Sequence, residues 1–188
     1  MEENQKTNTF SSDFGGRGQR PMRRPMREPK EKSEFDSRLL GLARVARVTK
    51  GGKRFSFRAT VAIGNLKGQV GVGVAQGVDV AGAMQKATNK ARKQMIRVPI
   101  VRGTIPHMVE AHYHGAVVIM KPAAPGSGVK AGGPVRVLAK LAGIENITAK
   151  LIERTGNKIN IARATLKAFS ILKVTHNSNS EHAAPINS

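Results

Sequence analysis

The sequence predicts an α+β protein built from two small layered domains. Three observations carry this. Two segments alternate with a period of two on either side of Lys50-Gly51-Gly52-Lys53. A segment starting at Asp79 repeats at helical spacing. After residue 104 the pattern runs strand–strand–helix–strand–helix.

The ordered body is expected over residues 35–174, divided into 35–103 and 104–174. Residues 1–34 include GGRGQRPMRRPMREPKEK, which has almost nothing to bury and reads as a disordered basic and polar tail. Its Arg17, Arg20, Arg23, Arg24 and Arg27 either touch phosphates or stand solvated. Residues 175–188 read as a second polar tail.

In the first domain, LARVARVT is a β-branched strand, and Lys50-Gly51-Gly52-Lys53 supplies the positive φ of a tight hairpin. KRFSFRATVAI follows, with Phe55, Phe57, Ala59, Val61 and Ile63 on the core face and Ser56, Arg58, Thr60 and Ala62 opposite. Gly64-Asn65-Leu66-Lys67-Gly68 makes a second turn. Val70, Val72 and Val74 form a third strand whose intervening glycines admit a close neighbour. Asp79 caps a helix with an apolar stripe of Val80, Met84, Ala87, Ala91 and Met95. Lys86, Lys90, Lys93 and Arg97 form a separate line on it, with Arg92 beside them.

In the second domain, a strand pair turns near His114-Gly115 and ends at Pro122. Pro134 sits at the start of a helix and Gly143 at its end; Val135, Leu138, Leu141 and Ala142 face inward while Arg136 and Lys140 face out. ENITAKLIE is a strand. Residues 157–173 form the last helix, with Ile159, Ala162, Leu166, Phe169 and Leu172 inward.

Charge narrows the function. There are 32 basic and 12 acidic side chains, a net of +20. Residues 35–103 hold fourteen basic side chains against Asp36 and Asp79, so 14 − 2 gives +12 for that third. An anionic polymer is the natural compensator. The absence of Cys excludes disulfides, thiolate zinc sites and a Cys nucleophile, and suits a reducing compartment. No 18-residue apolar run and no apolar signal core is present, so neither a membrane span nor secretion is expected.

The catalytic and ligand motifs fail on inspection. Gly71-Val72-Gly73 lies within a strand, not at a strand-to-helix turn, so it is no dinucleotide fingerprint. The Gly126-Ser127-Gly128 run lacks a following GK[ST] and is no nucleotide P-loop; it is a tight turn or a phosphate contact. His107, His112 and His114 have only Glu110 nearby, too few ligands for a zinc site. Beyond the tail the acids are Asp36, Asp79, Glu110, Glu145, Glu153 and Glu181, with no carboxylate pair for acid–base chemistry. No enzyme, cofactor, metal or small-molecule substrate is expected. The Ala/Met stripe is too small for a membrane-surface helix.

Nucleic acid remains. A helix bearing five cations and no acid after its cap points to phosphates. No helix-turn-helix, zinc-finger or bZIP pattern appears, and seven aromatics, Phe10 and Phe14 of them in the tail, are too few for stacking to dominate. Recognition by phosphate and shape suits structured RNA. A three-stranded sheet backed by a basic helix is compatible with a double-stranded-RNA-binding style of domain.

GGKRFSFRATVAIGN, GQVGVGV, KATNKARKQMIRVPI, TIPH, KPAAPGSGVKAGGPVRVLAKLAGI and INIARATLKAF together resemble, in order and spacing, the bacterial small-subunit ribosomal protein five family, over about residues 38–172. The resemblance implies a double-stranded-RNA-binding-like N-terminal domain and a C-terminal domain with a left-handed strand–helix–strand crossover. It implies a non-catalytic, cytoplasmic protein of the small ribosomal subunit that binds 16S ribosomal RNA and supports assembly. It further implies contacts with small-subunit proteins four and eight, a place near the path of messenger RNA into the subunit, and a bearing on decoding accuracy. Carried onto this chain, Lys50, Gly51, Gly52 and Lys53 form the loop near the family's spectinomycin site, and Gly126, Ser127, Gly128 through Arg136 face protein four. The RNA-contacting set is then Arg44, Arg47, Lys50, Gly51, Gly52, Lys53, Arg54, Lys86, Lys90, Lys93 and Arg97. The chain departs from the family pattern at Asn65-Leu66-Lys67, at Ala75-Gln76-Gly77, at Ser127, and at Lys158, where a proline is usual. The competing reading is a free RNA chaperone or annealing protein.

Overall fold

In the computed structural model the described residues are 34–153 and 155–173. The readings of the two tails fall almost wholly outside them. The order is β1 (Asp36–Thr49), β2 (Gly52–Gly64), β3 (Gln69–Gly77), α1 (Val80–Lys93), β4 (Ile96–Arg97), β5 (Val109–Tyr113), β6 (Ala116–Pro122), β7 (Val129–Lys130), α2 (Gly133–Ala142), β8 (Ile147–Leu151) and α3 (Lys158–Ile171). The strands form two four-stranded sheets, β1-β2-β3-β4 and β5-β6-β8-β7. Every pairing is antiparallel except β7 with β8, which α2 joins as a crossover.

The period-two reading of the first sheet holds. Thr49 pairs with Gly52 across a two-residue turn, and Gly52 sits at φ 138°, open to glycine. Ala59, Val61 and Ile63 pack on Ala83, Ala87 and Ala91 of α1. Gly71 and Gly73, the register partners of Ile63 and Val61, lie under the same helix. A Cβ on Gly73 would fall on the Ala87 carbonyl oxygen and 2.6 Å from the Ala91 nitrogen, so the glycines set how close α1 comes.

The opposite face of the first sheet, through Leu40, Ala62, Val70 and Val72, belongs to a larger core with Met120, Leu138, Ile147 and Phe169. The second turn ties the sheets together: the N–H groups of Leu66 and Gly68 donate to the Leu141 and Ala142 carbonyls at 3.0 and 2.8 Å. Those carbonyls end α2 and would otherwise lack partners.

Four expectations need correction. The helix ends at Lys93, with Gln94 as its cap, so Arg97 lies in β4 and not on the helical line. The buried stripe of α1 is Ala83, Ala87 and Ala91, while Met84 is exposed. Phe55 is 48% exposed because the hairpin outruns α1. The last helix buries Ile161, Ala164, Thr165 and Ala168 besides Ala162 and Phe169, since α2 and the second sheet both cover it; Ile159 and Leu166 are only half-buried. β4 and β7, two residues each, are additions to the expected order. The second-domain hairpin, the α2 inward set and its αL cap at Gly143 are as expected.

Candidate nucleic-acid interface

The β1–β2 hairpin carries the first cationic surface. Its base is held by α1 and the large core, whereas every residue from Ala46 to Phe55 is exposed. Register pairs Arg47 with Arg54 and Val48 with Lys53, with Lys50-Gly51 at the tip. Arg44 lays its guanidinium 3.7 Å from the centre of the Phe55 ring. That contact gives the exposed phenyl a cover where no helix reaches. The Thr49 hydroxyl donates to the Gly52 carbonyl at 3.1 Å and closes the turn.

Strand alternation sorts these cations. Arg44, Lys53, Phe55 and Phe57 share the face that α1 covers further down. Arg47, Arg54 and Arg58 share the opposite face. Arg58 is exposed and continues the Arg54 row, a role the sequence reading had not assigned. The alternation in RFSFR was its signal.

The second cationic surface is the outer side of α1. Lys86, Lys90 and Lys93 are exposed at spacings of four and three, so they stand on one side over about 10 Å of axis. Arg92 is exposed beside them, its guanidinium 5.8 Å from the Phe35 ring centre. Lys90, Arg92 and Lys93 occupy the last turn, where the negative end of the helix favours cations. That offsets part of their mutual repulsion. It does not supply counter-charge: the ion pair found among the described residues is Arg38 with Asp36, at 3.8 Å. Arg97 is exposed on β4, beside Gln69 of β3, and shares a cleft with Lys67.

The segment Gly126 to Arg136 is built differently. Gly126 and Gly128 have φ of 83° and 68°, and the Ser127 N–H donates to the Ala124 carbonyl at 3.1 Å. Buried Asn146 accepts from the Gly128 N–H at 3.0 Å, which fixes the loop to the start of β8. Arg136 is exposed on the first turn of α2 and lines a cleft with Leu66 and Lys140. Among the described residues, no group of three metal-ligating side chains gathers, and no helix is long and apolar enough to cross a membrane.

Comparison with known proteins places both halves of the chain in one family. The family described as "Ribosomal protein S5, N-terminal domain" matches residues 35–99, and "Ribosomal protein S5, C-terminal domain" matches residues 111–179. A small ribosomal subunit protein uS5 of Nostoc punctiforme is 43% identical over 164 residues, covering 87% of this chain and 93% of that protein. The uS5 of Synechocystis is 45% identical over 152 residues, covering 80% and 87%. The uS5c of Rhodomonas salina is 47% identical over 153 residues, covering 80% and 90%. Matches in both halves, in one order and at this identity, leave no room for a shared single domain in an unrelated protein: the chain belongs to the ribosomal protein S5 (uS5) family of the small ribosomal subunit, a family of structural ribosomal proteins and not of enzymes.

Proposed function

We propose that this chain binds 16S ribosomal RNA through the phosphates met by the α1 side and the β1–β2 hairpin, and so helps assemble and hold the small subunit in the cytoplasm. The observation that carries the reading is the α1 surface, where Lys86, Lys90, Arg92 and Lys93 stand exposed with no carboxylate within ion-pair reach among the described residues. Phosphate contacts fix position and register without reading sequence.

The finer reading follows the family. Residues 35–103 act as a double-stranded-RNA-binding-like unit and 104–174 as the second unit, with β7–α2–β8 a left-handed crossover. Arg44, Arg47, Lys50, Gly51, Gly52, Lys53, Arg54 and Arg97 join the α1 cations on RNA. Gly126, Ser127, Gly128 and Arg136 face small-subunit protein four; protein eight is a second neighbour, and messenger RNA passes nearby. The stiffly hydrogen-bonded 126–128 loop supports a role in a protein contact, since a preorganised loop loses little freedom on binding.

Sedimentation of a native extract containing the tagged chain tests the proposal. One copy per small subunit is expected. A chain found mostly in the free-protein fractions would instead indicate an RNA chaperone or annealing factor.

A further inference from the structure

A cleft of about 400 Å³ opens between the base of the β1–β2 hairpin and the start of α3. Arg58 and Thr60 line it from β2, Gly41 and Ala43 from β1, and Asn157 and Lys158 from α3. It lies on the face of the first sheet away from α1, since Arg58 and Thr60 alternate with Ala59 and Val61, which pack under that helix.

Its chemistry is that of an anion site. Thr60 is 3% exposed, yet its hydroxyl bonds to no described group and is not sealed off, so it opens to the cleft. Asn157 caps α3 by accepting from the Ile159 and Asn160 N–H groups at 3.1 and 3.4 Å, which puts the positive end of a 14-residue helix at the rim. The Lys158 stem crosses Gly41, its Cδ 3.7 Å from the place a Cβ would take there. Arg58 and Lys158 are exposed, with no carboxylate lining the cleft.

The cleft is also the end of a row. Arg54 and Arg58 are on one face of β2, and Arg47 sits across from Arg54. From Arg54 to Arg58 the strand advances about 13 Å, and Thr60 lies about 7 Å further on. We infer that an RNA backbone runs along the face of the hairpin opposite α1 and anchors one phosphodiester in this cleft, between Arg58, Lys158 and the Thr60 hydroxyl. The hairpin would then be gripped on both faces. The inference rests on the RNA-binding reading above and adds a contact surface that α1 cannot reach.

The test uses the full chain and an RNA stem-loop of about 16 base pairs, with affinity measured across a salt series. The double variant Arg58→Gln/Lys158→Gln should lower the log–log salt slope by about 1.4–1.8, or 0.7–0.9 for each lost contact. Thr60→Val removes a hydroxyl and no charge, so it should weaken binding about 2- to 10-fold with the slope unchanged. Arg58→Lys in place of Arg58→Gln in that double should restore half of the lost slope, about 0.7–0.9, which separates charge from folding damage. Amide signals of Thr60 and Lys158 should shift with RNA well beyond any shift with inorganic phosphate.

The Lys86→Gln/Lys90→Gln/Lys93→Gln variant serves as the control. If it lowers the slope while the cleft double leaves it unchanged, the cleft is wrong and the RNA-binding reading stands. If neither lowers it, both are wrong. If inorganic phosphate alone saturates the amide shifts and RNA adds nothing, the cleft is a free-anion site and the RNA track is overturned.

Discussion

The two helix layers of this protein are built on opposite principles. α2 enters the large core with Val135, Leu138 and Leu141, and Phe169 of α3 fills that core beside it. α1 sits on its sheet through Ala83, Ala87 and Ala91, over Gly71 and Gly73, with a methyl group the largest buried side chain it offers. The first arrangement gains stability from apolar volume. The second gains proximity: a thin seam brings the helix backbone close to β3 and holds the cationic outer side at a fixed distance from the sheet. Hydrophobic burial scales with apolar area, so the α1 layer adds less to stability than the large core. What it adds is a rigid cationic ridge.

Changes in the two layers should therefore differ in kind. The largest loss is expected at Phe169→Ala, about 3–5 kcal/mol, because the ring is fully buried in the large core; denaturant unfolding measures it. Gly73→Ala should cost about 1–3 kcal/mol by overpacking, since the added Cβ meets helix backbone and not the end of a flexible side chain. The same unfolding experiment should show that cost, and a Gly73→Ala protein as stable as the parent would contradict the thin seam.

Lys86→Gln/Lys90→Gln/Lys93→Gln should barely move stability. Loss of two like-charge pairs gains roughly 0.4–1 kcal/mol, and loss of two favourable contacts with the helix end costs about as much. A melting temperature changed by less than a few degrees, with RNA affinity clearly reduced, sharpens the contrast between the layers. Smallest of all is Lys50→Gln/Lys53→Gln at the exposed hairpin tip, within about 0.5 kcal/mol by the same unfolding measurement.

The sequence made some of this contrast legible and hid the rest. The strand alternation around Lys50-Gly51-Gly52-Lys53 was plain because Phe55, Phe57, Ala59, Val61 and Ile63 put one apolar face on β2 and the turn has its own glycines. The phase of α1 was not. Met84 and Val80 outweigh alanine on any hydrophobicity scale, yet it is the backbone and methyl groups of Ala87 and Ala91 that lie over Gly73, with Ala91 and Met95 over Gly71. A stripe chosen by hydrophobicity therefore follows the contact at Ala87, Ala91 and Met95 and leaves it in the first turns, where Ala83 is buried and Met84 is exposed.

The end of α1 was hidden for a related reason. No glycine follows Lys93, and Pro99 stands too far on to mark the break, so Arg97 seemed to continue the line. β7 consists of Val129 and Lys130, too short for any periodicity to reveal. Phe55 looked like core because its parity matched Phe57; only the length of the hairpin beyond α1 exposes it, with Arg44 as its cover. Among the candidate site residues, the helix lysines are proposed from charge, and the hairpin tip from its turn glycines and the family resemblance. Arg58, Thr60 and Lys158 are not legible in either way, because they come from β2 and α3 and meet only in the fold.

The most direct test of the cationic ridge is the salt dependence of RNA affinity for the full chain and for its Lys86→Gln/Lys90→Gln/Lys93→Gln form. Three lost phosphate contacts should reduce the log–log slope by about 2.1–2.7 with the fold intact. Parallel lines for the two proteins, equally steep, would show that the α1 cations meet solvent and not RNA.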